Sequence, residues 1–221
     1  MSTKYESKIA QRGQIVVISG PSNVGRRTII NEYLSHHPNA CKSISATTRE
    51  PKPGEEDGKD YFFMSRTEFD RMIKNGLMLE YSYINSECYG TPKKAVEDAR
   101  NAGHTIILET DVMGAMKIRS LCPDATLIYI MPPSWEELVE RAHKDTVDTE
   151  EVIQMKLEQA KEDISCAGQC DYIIINDEVK KAARRLDQII HGNRFSRVNM
   201  KDFLASYIEG EIQPLIDLER N

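Results

Sequence analysis

A loop bounded by two glycines, between an apolar run and a helix-forming segment, has the residue types and spacing to bind phosphate. Residues 14–28 read QIVVISGPSNVGRRT. Gly20 and Gly25 have the spacing of the motif G-x-x-x-x-G-K-[ST], in which backbone N–H groups and the positive end of the following helix hold phosphate. The sequence therefore predicts a phosphate cradle, and a plain strand-to-helix turn is the alternative.

The cation of this cradle departs from the motif. Arg26 stands where the motif has lysine, Arg27 follows it, and Thr28 ends the segment. Lysine acts as a compact point charge between phosphates, whereas the guanidinium group is a wide planar fork that has to be placed differently. We therefore expect phosphate binding to be retained more readily than the chemistry that depends on this cation.

Composition narrows the class of protein. The chain has 221 residues, a formal net charge of −6, 40% hydrophobic residues and 29% charged residues, which is typical of a soluble globular α/β domain. Its basic residues are scattered, so we expect no nucleic-acid partner. The five cysteines lack the paired spacing of a zinc site and predict free thiols in a reducing compartment. No apolar run approaches the roughly 20 residues of a membrane span, and we expect a cytoplasmic protein.

Apolar runs that alternate with helical patterns must position the cradle. We predict buried strands at residues 15–18, 104–108, 126–131 and 172–175, and helices at 27–36, 113–121, 150–167 and 179–191. Capping boxes at Ser65 and Ser134 open two further helices, and Thr91 is predicted as the N-cap of a helix that begins at Pro92. This alternation predicts an α/β fold with a doubly wound parallel sheet.

Three segments do not follow the alternation. Residues 42–92 contain mixed, tyrosine-rich strands and are predicted to form an inserted subdomain. Residues 142–149 are a polar joint before a long helix. Residues 199–209 carry an apolar stripe at helical spacing, which we expect to pack within the molecule. The stripe consists of Met200, Phe203, Leu204, Tyr207 and Ile208.

A set of motifs in a specific order resembles the guanylate kinase family over residues 14–191. The motifs are GPSNVGRRT, SISATTREPKPGE, DGKDYFF, LEYSYINSECYGTP, ILETDVMG, IYIMPPS and IIIND. The resemblance implies transfer of the γ-phosphate of ATP to GMP with Mg²⁺, in purine nucleotide metabolism, by a monomer or homodimer. It also implies a P-loop kinase core at 14–41 and 93–191, a GMP-binding subdomain at 42–92, a lid at 142–149 and a helical tail at 192–221.

The resemblance assigns two sets of binding residues. The residues at the ATP phosphates would be Gly20, Asn23, Val24, Gly25, Arg26, Arg27 and Thr28, with Thr28 also near the Mg²⁺ that the phosphates hold. The GMP-binding residues would be Ser45, Arg49, Lys52, Tyr61, Glu80, Tyr89, Thr91 and Glu109. Cations and hydroxyls suit the phosphate of GMP, the Glu80 carboxylate suits the N1–H and N2–H₂ donors of guanine, and Thr91 suits its O6.

The resemblance also implies a set of catalytic residues, and this sequence departs from the family pattern at several positions of the site. These residues are Arg26, Arg141, Lys156 and Asp111. Glu109 stands two residues before Asp111, where the family usually has aspartate, and Lys52 stands where it has a second arginine. In the lid, Lys156 replaces one arginine and Asp145 falls where another is usual.

Asp145 reverses a charge at the expected phosphoryl-transfer site, and together with Arg26 and Lys156 it makes three changed positions among the cations expected there. One arginine at such a site is worth roughly 10³–10⁵ in rate. Two functions of different classes therefore remain open: a guanylate kinase that works slowly or through rearranged cations with Arg26 and Arg27, or a binding module that holds GMP or a phosphorylated partner and transfers nothing. A P-loop GTPase is not favoured, because no guanine-specificity motif of that class is present.

Overall fold

The computed structural model of the chain describes residues 12–84, 86–144 and 148–213. The strands in these ranges are β1 (Ile15–Ser19), β2 (Ala40–Lys42), β3 (Ala46–Thr47), β4 (Phe62–Phe63), β5 (Met78–Ile84), β6 (Glu87–Pro92), β7 (Thr105–Glu109), β8 (Thr126–Met131) and β9 (Tyr172–Ile175). The helices are α1 (Arg26–His36), α2 (Arg66–Lys74), α3 (Lys93–Asn101), α4 (Val112–Leu121), α5 (Trp135–Lys144), α6 (Glu150–Ser165), α7 (Val179–Asn193) and α8 (Lys201–Tyr207).

The main sheet has five strands in the order β2-β7-β1-β8-β9, and every neighbouring pair is parallel. β1 lies at its centre, between β7 and β8. All five residues of β1 are buried, as expected for a parallel strand that is covered on both faces. The predicted α/β fold with a doubly wound parallel sheet is confirmed.

Two apolar clusters cover the two faces of this sheet. Val16 and Ile18 of β1 pack with residues of α1, α5, α6 and α7. Ile15 and Val17 face the other way and pack with residues of α3 and α4. The alternation follows from the two-residue period of a strand, which sends successive side chains to opposite faces. The sheet ends near the cradle are thereby held rigidly from both sides.

A second, smaller sheet has four strands in the order β4-β3-β6-β5. β3 pairs in parallel with β4 and antiparallel with β6, so the sheet is mixed, as the sequence predicted. It packs around Phe69 of α2, which is fully buried. Lys42 belongs to β2 of the main sheet, so the inserted part begins after this residue. The remaining domain boundaries stay predictions.

Most predicted elements are found within a few residues of their expected ends. The capping boxes are confirmed, because Ser65 and Ser134 accept hydrogen bonds from the backbone N–H groups of Glu68 and Glu137, each at 3.2 Å. All five cysteines are free, as predicted. None of the helices in the described ranges has the length and apolar character needed to span a membrane.

Three local predictions were wrong. Thr91 is not a helix N-cap: it lies in β6, and its hydroxyl is used across the sheet by Glu80. The polar joint starts later than predicted, because α5 continues through Lys144 and buries Ala142. The apolar stripe of the tail is not buried against the described part of the chain, since α8 has no buried residue there and Leu204 remains 52% exposed.

Candidate active site

The cradle connects β1 to α1, and its two glycines are required by geometry. Gly20 has φ 148° and Gly25 has φ 91°, in the region that L side chains rarely adopt. A Cβ atom at Gly20 would lie 2.5 Å from the carbonyl oxygen of Ile130, and one at Gly25 would lie 2.7 Å from Nδ2 of Asn176. The same Asn176 nitrogen donates a 2.7 Å hydrogen bond to the Val24 carbonyl, which holds the loop against the end of β9.

Arg26 spans the space between the cradle and the end of β7. Its Nη1 donates to the carbonyl oxygens of Gly20 at 2.8 Å and Thr110 at 3.3 Å. Its Nε lies 3.7 Å from Oε1 of Glu109, which is an ion pair beyond hydrogen-bond length. The guanidinium thus uses several directions at once, as a planar fork can and an ammonium group cannot.

Lys42 is a site residue that the sequence reasoning missed. It is the last residue of β2, and its Nζ donates to Oε2 of Glu109 at 2.6 Å. No local sequence signal marks it, because the contact depends on β2 and β7 being parallel neighbours whose carboxyl ends lie at one edge. Burial by itself raises the pKa of Glu109, but the charges of Lys42, Arg26 and Arg27 outweigh it and lower this pKa below its ordinary value.

Asp111 lies near Glu109 but has a structural role as well. Its Oδ1 accepts a 2.6 Å hydrogen bond from the N–H of Gly114 and caps α4. A cap of this kind uses one carboxylate oxygen and places the negative charge at the positive end of the helix dipole. A catalytic role for Asp111 stays a prediction.

The cradle does not fit a metal ion bound directly by the protein. Arg27 occupies the position that follows the cradle cation, where the motif has the hydroxyl that contacts Mg²⁺. The exposed Thr28 lies one helical residue further on, which is a rotation of about 100° around the helix axis. Residues 12–84, 86–144 and 148–213 contain no group of His, Cys, Asp and Glu side chains that could hold a metal. The assignment of Thr28 to Mg²⁺ stays a prediction.

The structure brings Arg141 to the cradle. Its Nη1 donates to the Val24 carbonyl at 3.3 Å, its Nη2 donates to the Asn176 carbonyl at 3.0 Å, and its Nε donates to Glu137 at 3.0 Å. Arg141 therefore connects α5 to the cradle loop. Lys156 instead forms an ion pair with Asp148, at the start of α6. Asp145 lies outside the described residues.

Three of the predicted GMP-binding residues lie together beside the small sheet: Arg49 and Tyr61 between β3 and β4, and Tyr89 in β6. Arg49 stacks on the ring of Tyr61, with its guanidinium carbon 5.3 Å from the ring centroid. The rings of Tyr61 and Tyr89 meet edge to face at 6.1 Å. Arg49 also donates two hydrogen bonds to Glu55, at 2.9 and 3.0 Å, and this guanidinium lowers the pKa of Glu55 to about 2. Arg49, Tyr61 and Tyr89 therefore form a candidate anion-binding site, which the Glu55 carboxylate occupies in this structure.

The remaining phosphate-side residues are less enclosed. Lys52 is exposed, and its backbone N–H donates to Glu55 at 2.7 Å. Ser45 is partly buried, and its carbonyl accepts a 2.9 Å hydrogen bond from the N–H of Phe62. Neither side chain is drawn into the contacts that join Arg49 and the two tyrosines. Their GMP-binding roles stay predictions.

Glu80 and Thr91 form a buried polar pair across β5 and β6. They face each other in the sheet register, and the Thr91 hydroxyl donates to Oε1 of Glu80 at 2.6 Å. Glu80 is 7% exposed and Thr91 is 3% exposed. Burial raises the pKa of Glu80, and the Thr91 hydrogen bond only partly offsets this. A buried carboxylate with one oxygen unused by Thr91 is suited to accept hydrogen bonds from a ligand.

Comparison with known proteins places the whole site within one family. The profile of the guanylate kinase family matches residues 12–193. The chain is 43% identical over 188 residues to a guanylate kinase of Streptococcus thermophilus (strain CNRZ 1066), which covers 85% of this chain and 90% of that protein. It is 40% identical over 192 residues to a guanylate kinase of Desulfitobacterium hafniense (strain Y51), which covers 87% and 96%.

Structural comparison gives the same result. The crystal structure of guanylate kinase from Anaplasma phagocytophilum matches with a TM-score of 0.69 and 34% sequence identity, over 86% of this chain and 90% of that chain. Residues 12–193, which the family profile matches, include the cradle, the end of β7 and the small sheet with Glu80. On these matches in sequence and structure, the chain belongs to the guanylate kinase family.

Proposed function

We propose that this protein is an ATP:GMP phosphotransferase that converts GMP to GDP. The observation that carries the choice of GMP is the buried Glu80–Thr91 pair. An ionised carboxylate accepts hydrogen bonds from the N1–H and N2–H₂ groups of guanine, whereas adenine has no such pair of donors on that edge. The Thr91 hydroxyl can turn to donate to O6. Family membership supports the same substrate.

The acceptor phosphate would lie against Arg49, Tyr61 and Tyr89. Arg49 already makes a bidentate contact with the Glu55 carboxylate. A phosphate offers the same planar pairing with more negative charge, so GMP can replace Glu55 as the partner of this guanidinium. The two tyrosine hydroxyls supply further donors. This exchange would fix the phosphate of GMP at the end of the small sheet.

The donor phosphates would lie in the cradle, with cations arriving from two sides. Arg26 reaches from the start of α1 and Arg141 from α5, and both guanidinium groups are available to negative charge that develops during transfer. Mg²⁺ would enter with ATP, where it neutralises phosphate charge and is held by the phosphates and water. Lys156 would add charge once Asp148 releases it.

The proposal extends to the cellular location, the oligomeric state and the domain division of the enzyme. The free thiols fit a reducing compartment, and we propose a cytoplasmic location. We propose a monomer or homodimer. We also propose the division into core, GMP-binding subdomain, lid and tail, with the subdomain beginning after Lys42 and the lid beginning after α5.

A coupled assay of the purified protein with ATP, Mg²⁺ and GMP tests the proposed function. We expect GDP to form with GMP as acceptor, and AMP to be used far less well under the same conditions. Calorimetry with GMP alone should show binding, because the acceptor residues do not depend on the cradle. The proposal fails if GDP does not form although GMP binds, or if AMP is phosphorylated equally well.

The raised pKa of Glu80 predicts that GMP affinity depends on pH. Guanine binds the ionised form of the carboxylate, so the affinity for GMP should be highest above the pKa of Glu80 and should fall as the pH drops through it. The fall should begin at a higher pH than it would for a glutamate with the ordinary pKa of 4.5. Calorimetric titration of GMP between pH 5 and 8 measures it.

The phosphate of GMP also titrates, near pH 6, so the wild type must be compared with Glu80→Gln. The phosphate contributes equally in both proteins, whereas only the wild type should show the additional loss of affinity. Identical pH profiles would exclude an ionised Glu80 as the guanine acceptor.

A further inference from the structure

Glu109 at the end of β7 has two cations from different elements beside it. Lys42 of β2 contacts Oε2 at 2.6 Å, and Arg26 of α1 lies 3.7 Å from Oε1. Glu109 is 20% exposed in its side chain, Arg26 is 22% exposed and Lys42 is 31% exposed. All three are thus partly withdrawn from water, where charge interactions are screened less than at the surface.

The two distances show which cation satisfies the carboxylate. Lys42 makes a charge-assisted hydrogen bond, which is the stronger kind, whereas Arg26 is too far away to make any. The firm contacts of Arg26 are to the neutral carbonyl groups of Gly20 and Thr110. Such contacts are weaker than a close ion pair, and donor phosphates can replace them. Arg26 can therefore exchange these contacts for phosphate, as long as Glu109 remains bound to Lys42.

Loss of Lys42 would change this balance. Glu109 would remain partly buried and charged, with the guanidinium of Arg26 as a cation within reach. A partly buried carboxylate without its partner is costly, so it draws the nearest opposite charge. Arg26 would then be fixed at the end of β7 instead of turning toward phosphate.

We propose that Lys42 is a positioning residue for phosphoryl transfer, which holds the Glu109 carboxylate and so leaves Arg26 free to bind the donor phosphates. The inference rests on the proposed kinase activity and adds a residue to it. Its effect concerns ATP and not GMP, because Arg26 lies at the cradle. Its mechanism acts entirely through Glu109, which gives it a specific test.

A double-mutant cycle of Lys42→Met and Glu109→Gln tests the inference. In the presence of Glu109, Lys42→Met should lower kcat/KM for ATP by about tenfold, a size that is typical of coupled charged neighbours. In the Glu109→Gln background the same lysine change should cost less than about threefold, because no carboxylate remains to capture Arg26. Lys42→Arg should keep most of the activity, since it retains the cation.

A matched control is Lys94→Met, which removes a lysine from an exposed ion pair with Asp98 on α3 and should leave kinetics unchanged. Thermal unfolding of each variant separates folding defects from the positioning effect. Equal losses from Lys42→Met in both Glu109 backgrounds would overturn the inference, and so would a change confined to KM for GMP.

The cycle can also be read without turnover. If the wild type forms no GDP, the proposed function fails, and the same four proteins are compared by their Kd for a non-hydrolysable ATP analogue. Weaker analogue binding in Lys42→Met, restored by adding Glu109→Gln, would still support the positioning role. Unchanged analogue binding across the four proteins would reject it.

Discussion

Glu80→Ala is expected to weaken GMP binding by at least about a hundredfold, because two hydrogen bonds from guanine to a charged acceptor are lost and each is worth about 1.5–3 kcal/mol. AMP binding should stay within a few-fold of the wild-type value. The buried Thr91 hydroxyl also loses the carboxylate that accepts its 2.6 Å hydrogen bond, which lowers the free energy of unfolding. Calorimetry with GMP and AMP in parallel measures the discrimination.

Glu87→Ala provides the matched control. Glu87, the first residue of β6, likewise accepts a hydrogen bond from a threonine hydroxyl, that of Thr48 at 2.5 Å. It should change GMP binding by only a few-fold. If both variants lose GMP affinity equally, the effect reflects the small sheet as a whole, and Glu80 has no specific role in reading guanine.

Arg26→Ala is expected to lower kcat by about a thousandfold and to leave the Kd of GMP unchanged, since an arginine at a transferring phosphoryl group is worth roughly 10³–10⁵ in rate. Arg26→Lys should also lose activity, by about tenfold. The sequence alone left the sign of this change open. The structure favours a loss, because the guanidinium contacts Gly20 and Thr110 while staying close to Glu109, and one ammonium group cannot do so.

Steady-state kinetics with varied ATP and GMP separate the two substrates. Arg66→Lys is a suitable control, because Arg66 is an exposed arginine of α2 that pairs with Asp70. A gain of activity in Arg26→Lys would show that the cradle has lost an ancestral cation rather than recruited a new one. No effect in either variant of Arg26 would remove this residue from the mechanism.

The fold was largely predictable because its signals are local and agree with one another. The run of β-branched residues at 15–18 could only be a buried strand, and Ser65 and Ser134 have the residue three positions later that a capping box needs. Thr91 shows the limit. It precedes a proline at a helix start, which favours an N-cap, but the buried carboxylate of Glu80 on the neighbouring strand β5 competes for the same hydroxyl. That competitor is far from obvious in the sequence.

The candidate site was predictable where a motif carried it, and not where the fold assembled it. The cradle, Arg49 with Tyr61, and Glu80 with Thr91 all lie at positions that the motifs indicated. Lys42 was missed, because its contact with Glu109 arises only when β2 and β7 become neighbours in the sheet. The prediction that the tail stripe packs within the molecule was wrong for a different reason. Helical spacing indicates an apolar face on a helix, but it does not show which surface covers that face.

The order of strands in the main sheet determines when the protein can fold during its synthesis. β1 is made early, yet its two partners are residues 105–109 and 126–131. At roughly 5–20 residues per second, the apolar run of β1 waits for seconds on the ribosome before either partner has been made. Contacts so distant along the chain also slow folding afterwards. The centre of the finished sheet is therefore the segment of the nascent chain with the longest need for protection from aggregation.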